Sequence, residues 1–84
     1  MRHAGSAALE TLSGLLEQIR TREGLNEKKL GIFYRKSKSF LHFHEDPEGM
    51  FADLSAGSDF NRYPVNTKME WKALLSAIDQ ALKV

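Results

Sequence analysis

The chain has 84 residues, a formal net charge of +1 and no cysteine. This length accommodates one folded domain, residues 1–84, with a single hydrophobic core. The lack of cysteine excludes disulfides, thiolate metal centres and cysteine nucleophiles. So small a protein without disulfides indicates a reducing compartment, and the cytoplasm is the expected location. No apolar run approaches the roughly 20 residues of a membrane-spanning helix, and a charge near neutral does not favour nucleic acid as a partner.

The first predicted element is an amphipathic helix that begins near Ser6. Apolar residues recur at three- and four-residue spacing from Leu9 to Ile19, which is the pattern of a helix with one buried face. Gly24 suits the left-handed conformation that often ends a helix. Residues 1–5, which precede the helix, are expected to be disordered.

Four strands are predicted after this helix. Residues 30–35 are rich in β-branched and aromatic side chains and form the first strand. The next two strands form a hairpin around residues 46–49, Asp-Pro-Glu-Gly, which suit a type I turn that ends on a glycine with positive φ. Residues 60–65 form the fourth strand, and Pro64 places that strand at an edge of the sheet or ends it.

The register of the hairpin follows from its alternation of apolar and polar residues. The turn pairs His44 with Phe51 and His42 with Asp53. One face is then apolar, with Leu41, Phe43, Met50, Ala52 and Leu54. The other face is mixed, with Phe40, His42, His44, Phe51 and Asp53. A slip of one residue would place Asp53 among the apolar side chains, so the pattern favours the stated register.

The last predicted element is a second amphipathic helix. Residues 67–70, Thr-Lys-Met-Glu, fit a capping box, and an apolar stripe follows from Trp71 to Leu82. The element order is therefore α-β-β-β-β-α. Short connections favour an α+β fold, a two-layer sandwich in which both helices cover one face of a four-stranded antiparallel meander. The opposite sheet face is left open.

Two histidines on the open face suggest chemistry. His42 and His44 are two residues apart on one strand, so their rings project from the same face, and Asp53 is a cross-strand neighbour. Two imidazoles and one carboxylate can hold zinc or non-haem iron. The same side chains also fit an ordinary exposed sheet face. His42 with Asp53 could act as an oriented general base, but neither a cysteine nor a Gly-x-Ser-x-Gly motif supplies a nucleophile.

Aromatic residues and an arginine accompany these histidines. They favour a flat ligand, a peptide, or an interface with a second copy of the chain. We therefore expect a non-enzymatic binding or interaction module without a cofactor, whose partner is a protein or a homodimer mate. The residues expected on its binding face are His42, His44, Phe51, Asp53 and Arg62. The alternative is a small metal-binding protein or metal-dependent enzyme with His42, His44 and Asp53 as ligands.

The hairpin resembles the luciferase-like domain family, which includes small bacterial proteins of unknown role and a domain of fungal luciferases. Its sequence over residues 40–54, FLHFHEDPEGMFADL, is similar to the family core His-x-His-x-Asp…Ala-Asp-Leu. The matching residues are His42, His44, Asp46, Ala52, Asp53 and Leu54. The following strand and helix resemble the closing unit of the family, so the resemblance covers residues 30–82. The chain lacks the long segment that the family carries before its last strand, and the resemblance implies an α+β fold without an established activity.

Overall fold

The computed structural model describes residues 2–83 and shows six strands and three helices in that part of the chain. The strands are β1 Arg2–His3, β2 Asn26–Lys29, β3 Ile32–Arg35, β4 Lys38–Asp46, β5 Gly49–Ala56 and β6 Asp59–Pro64. The helices are α1 Ser6–Thr11, α2 Ser13–Arg20 and α3 Lys68–Leu82. All strand pairs are antiparallel in the order β2-β3-β4-β5-β6, and β1 pairs with β4. The fold class is α+β, as the sequence predicts. None of the helices described is both long and apolar enough to cross a membrane.

The β4–β5 hairpin has the predicted register. His42 lies opposite Asp53 and His44 lies opposite Phe51, and the pairing runs without a shift from Leu41 and Leu54 to the turn. An unbroken antiparallel ladder sends alternate side chains to opposite faces. The hairpin therefore sorts its side chains into a core row and an outward row.

Turn chemistry and a contact with the start of α3 hold the closed end of this hairpin. The Oδ1 atom of Asp46 accepts a hydrogen bond from the backbone N–H of Glu48 at 2.8 Å, and Gly49 has the positive φ that the sequence predicts, 141°. The side-chain amide of Asn66 pairs with both backbone groups of Met50, at 2.8 and 3.1 Å. A Cβ atom at Gly49 would lie 2.8 Å from Asn66 Oδ1, so a larger residue would disturb this contact.

The hydrophobic core lies between the helices and one face of the sheet. Its buried members are Leu9, Leu12, Leu15, Leu16, Ile19, Phe33, Phe40, Leu41, Phe43, Ala52, Leu54, Val65, Leu74 and Ile78. The predicted capping box is present at the start of α3, where Thr67 and Glu70 bond each other's backbone amides. The indole N–H of Trp71 donates to the carbonyl oxygen of Val65 at 2.9 Å, which ties α3 to the chain that leaves β6.

The sheet is larger than the predicted four-stranded meander. The predicted strands correspond to β3–β6, and residues 26–29, for which no strand was predicted, form the edge strand β2. The polar composition of these residues gives no strand pattern. Tertiary contacts hold the strand in place. The carboxylate of Glu27 binds Arg20 at 2.6 Å and accepts from the backbone N–H of Gly31 at 2.9 Å. The predicted first helix is also two segments, which meet at Leu12.

The N-terminal residues differ from the expected disorder of residues 1–5. Residues 2 and 3 form β1, which pairs with the end of β4. The backbone N–H of Ala4 donates to the carbonyl oxygen of Phe43 at 3.0 Å. A two-residue strand has no periodic pattern, and only its pairing with β4 defines it. Met1 lies outside the described residues.

A β-bulge moves Phe40 from the predicted mixed face into the core. Phe33 pairs with Leu41 while Tyr34 pairs with Ser39, so Phe40 is an extra residue in β4. Phe40 and Leu41 are consequently both buried, with 4% and 0% of their surface exposed. The prediction for Phe40 was wrong because alternation assumes a strand without bulges.

Replacement of Phe40 tests the bulge. Phe40→Ala should lower the free energy of unfolding by about 3–5 kcal/mol, because it leaves a cavity in the core. The matched control is Phe60→Ala, which removes a ring that is 44% exposed and should cost far less. Urea denaturation monitored by Trp71 fluorescence measures both values. Equal losses for the two variants would place Phe40 outside the core.

Candidate binding site on the open sheet face

The sheet face away from the core carries the five residues that were expected on the binding face. They are His42 and His44 on β4, Phe51 and Asp53 on β5, and Arg62 on β6. Asp53 lies between His42 and Arg62 in the pairing of the three strands. The structure therefore brings these side chains together in two adjacent cross-strand rows.

Asp53 anchors the centre of this face. It is buried, with 8% of its surface exposed, and it is the only charged residue in the buried set of residues 2–83. The guanidinium of Arg62 donates to both carboxylate oxygens, from Nε to Oδ1 and from Nη2 to Oδ2, each at 2.8 Å. These hydrogen bonds hold the pKa of the Asp53 carboxyl below its usual range and raise the pKa of the Arg62 guanidinium. Both groups are therefore charged across the physiological pH range.

The two β4 histidines form a hydrogen-bonded pair beside this carboxylate. His42 Nδ1 lies 2.9 Å from His44 Nε2, and His44 Nε2 lies 3.2 Å from Asp53 Oδ2. An ionised carboxylate only accepts hydrogen bonds, so His44 Nε2 is assigned the proton and His42 Nδ1 the role of acceptor. Burial, followed by the neighbouring His44, lowers the pKa of His42. Both effects favour a neutral His42 ring.

A third histidine, which the sequence analysis did not include, completes the cluster. His3 on β1 lies directly opposite His44, and the two rings stack with centroids 4.8 Å apart and planes at 28°. The His3 ring also lies 5.8 Å from that of His42. One ring nitrogen from each of the three residues lies within 4.8 Å of the others. We call this group the histidine cluster. It was missed because residues 1–5 were expected to be disordered.

Aromatic surface borders the histidine cluster on the β6 side. The Phe60 ring is tilted against the His42 ring with centroids 5.0 Å apart, and 44% of the Phe60 surface is exposed. Phe60 precedes Arg62 by two residues on β6, so the two side chains project from the same face. Phe51 is half-buried opposite His44. The site thus combines imidazole, guanidinium and aromatic groups.

No family model matches the chain, and no curated protein or solved structure shows significant similarity to it. The resemblance of residues 40–54 to the luciferase-like domain family therefore stays a prediction. The function has to be inferred from the chemistry of the open face.

The pair of Asp53 and Arg62 predicts a pH-dependent stability. Because the folded-state pKa of Asp53 is lowered, the contribution of the pair is complete above the unfolded-state pKa of about 3.9. It is lost as the pH falls through the lower folded-state value. The variant Asp53→Asn should therefore be less stable than wild type at pH 7, with a difference that shrinks below about pH 4.

Urea denaturation at pH 7, 5 and 3 measures this difference. The control is Asp59→Asn, which removes an exposed carboxylate from the first residue of β6 and should change the stability by no more than about 0.5 kcal/mol. A deficit of Asp53→Asn that stays constant from pH 7 to pH 3 would contradict an ionised, paired Asp53.

Proposed function

We propose that the protein is a non-enzymatic binding module that recognises an extended segment of a partner protein along β6 and the adjoining open face. The observation that carries this proposal is the free edge of β6. Among residues 2–83 the sheet order ends at β6, which has a strand neighbour only on its β5 side. All residues of β6 except Tyr63 are exposed. An edge strand offers unpaired backbone groups to which an extended peptide can add as a further strand.

The side chains beside this edge supply specificity. A peptide strand next to β6 would place alternate side chains on the open face, close to Phe60 and Arg62. An apolar peptide side chain can pack on the exposed Phe60 ring. Arg62 uses Nε and Nη2 for Asp53, so Nη1 remains for a peptide carboxylate. The preferred partner segment is therefore extended and carries an apolar residue and a carboxylate two positions apart.

The support beneath these two residues favours binding with little loss of conformational entropy. Asp53 fixes the guanidinium of Arg62 through two hydrogen bonds, and the ring of His42 packs against Phe60. Side chains that are already held in place lose less freedom when a ligand binds. Pro64 at the end of β6 lacks a backbone N–H and limits uncontrolled pairing of this edge.

Selection of peptides tests this function. A displayed library of random 10-residue peptides, panned against the protein in the presence of EDTA, should enrich segments with an apolar and an acidic residue two positions apart. Phe60→Ala and Arg62→Glu should each weaken the best peptide by about tenfold or more, as anchor residues do. The control Met69→Ala alters a side chain on α3 that is 81% exposed and should bind like wild type.

The binding mode has its own test. Two N-methylated versions of the best peptide should be compared, one methylated at the odd and one at the even backbone amides. One of them should lose binding, because its methyl groups remove the hydrogen bonds of strand addition. No enrichment over the Arg62→Glu variant would contradict the proposal. Sedimentation velocity tests the identity of the partner. A concentration-dependent dimer that Phe60→Ala dissociates would show that the partner is a second copy of the chain and not another protein.

A further inference from the structure

The histidine cluster, His3, His42 and His44, gathers every histidine of the chain on one small area of the sheet. Two independent features of the fold produce this arrangement. The alternation of β4 points His42 and His44 to the same side, and the pairing of β1 with β4 sets His3 opposite His44. Histidine is the commonest protein ligand for transition metals, and three imidazoles suffice for a site with open positions.

The distances suit a metal ion. Zinc binds histidine nitrogen at about 2.0–2.1 Å, so the ligand nitrogens of two imidazoles on one tetrahedral ion lie about 3.3 Å apart. His42 Nδ1 and His44 Nε2 are 2.9 Å apart, and a small separation of the two rings would admit the ion. His3 is exposed, and its nitrogen already lies within 4.8 Å of the other two. A rotation of the His3 side chain would close the remaining gap.

Proton positions allow the same three rings to coordinate. His42 already has an unprotonated Nδ1 in the assignment above. His44 would take the tautomer with its proton on Nδ1, which lies 3.3 Å from the carbonyl oxygen of Arg2 and would donate to it. A metal-bound imidazole commonly donates its other N–H to a carbonyl or carboxylate, which fixes the ring.

The ligand set differs from the one that the sequence suggests. In the alternative reading of the sequence Asp53 is the third candidate ligand, but both of its oxygens accept hydrogen bonds from Arg62. His3 is the cross-strand neighbour of His44 on β1, on the side of β4 away from Asp53. We propose that His3, His42 and His44 form a binding site for a divalent first-row transition cation such as Zn²⁺, with the remaining coordination positions open to water. Imidazole ligands favour zinc, nickel and copper over magnesium and calcium.

Zinc titration of the untagged protein tests this site. At pH 7.5, isothermal titration calorimetry with ZnCl₂ should give one binding event per chain. The ring resonances of His3, His42 and His44 should shift together in the NMR spectrum. His3→Ala should weaken zinc binding at least about tenfold, as loss of a supporting contact alone does at metal sites. The amide spectrum of this variant should otherwise match wild type, because the residue is exposed.

The variant Asp53→Asn distinguishes the two possible ligand sets. It should weaken zinc binding less than His3→Ala does if the three histidines bind the ion, because Asp53 contacts His44 Nε2 without being a ligand. Zinc affinity that is unchanged in His3→Ala but abolished in Asp53→Asn would overturn the proposed site. Histidine resonances that do not move up to millimolar zinc would overturn it as well. Because zinc is titrated without a peptide and peptides are selected with EDTA, either proposal can fail while the other stands.

Discussion

The register of the β4–β5 hairpin determines which side chains build the core and which build the open face. In the observed pairing, Leu41, Phe43, Ala52 and Leu54 are buried, whereas the histidines of β4 and Asp53 point away from the core. A slip of one residue would exchange the two rows and bury an ionised carboxylate among apolar side chains. The two hydrogen bonds from Arg62 to Asp53 link the side chains of β6 to the open face of the hairpin.

Local sequence carries this register, which explains why the hairpin was predictable. Asp46 and Gly49 have the chemistry of the observed turn, and the alternation of apolar and polar residues assigns each side chain to a face. Features that depend on distant contacts were not predictable. The bulge at Phe40 exists only relative to β3, and β2 depends on Glu27 binding Arg20 and the Gly31 amide.

The same distinction applies to the candidate site. Alternation was enough to place His42, His44 and Asp53 on one face, but spacing alone could not show which neighbour each side chain would bind. Arg62 takes the Asp53 carboxylate, and a strand of two residues brings His3 to His44. The structure thereby separates two regions of the face, a histidine cluster near β1 and an aromatic and cationic edge along β6.

Docking of β1 on β4 is the step on which the histidine cluster depends, because it alone brings His3 into the site. Nuclear Overhauser spectroscopy of the metal-free protein measures it directly. We predict cross-peaks between the ring protons of His3 and His44, whose centroids are 4.8 Å apart, and slow exchange of the Ala4 amide, which donates to Phe43. Random-coil shifts for residues 2–5, with no such cross-peaks and a rapidly exchanging Ala4 amide, would contradict the account.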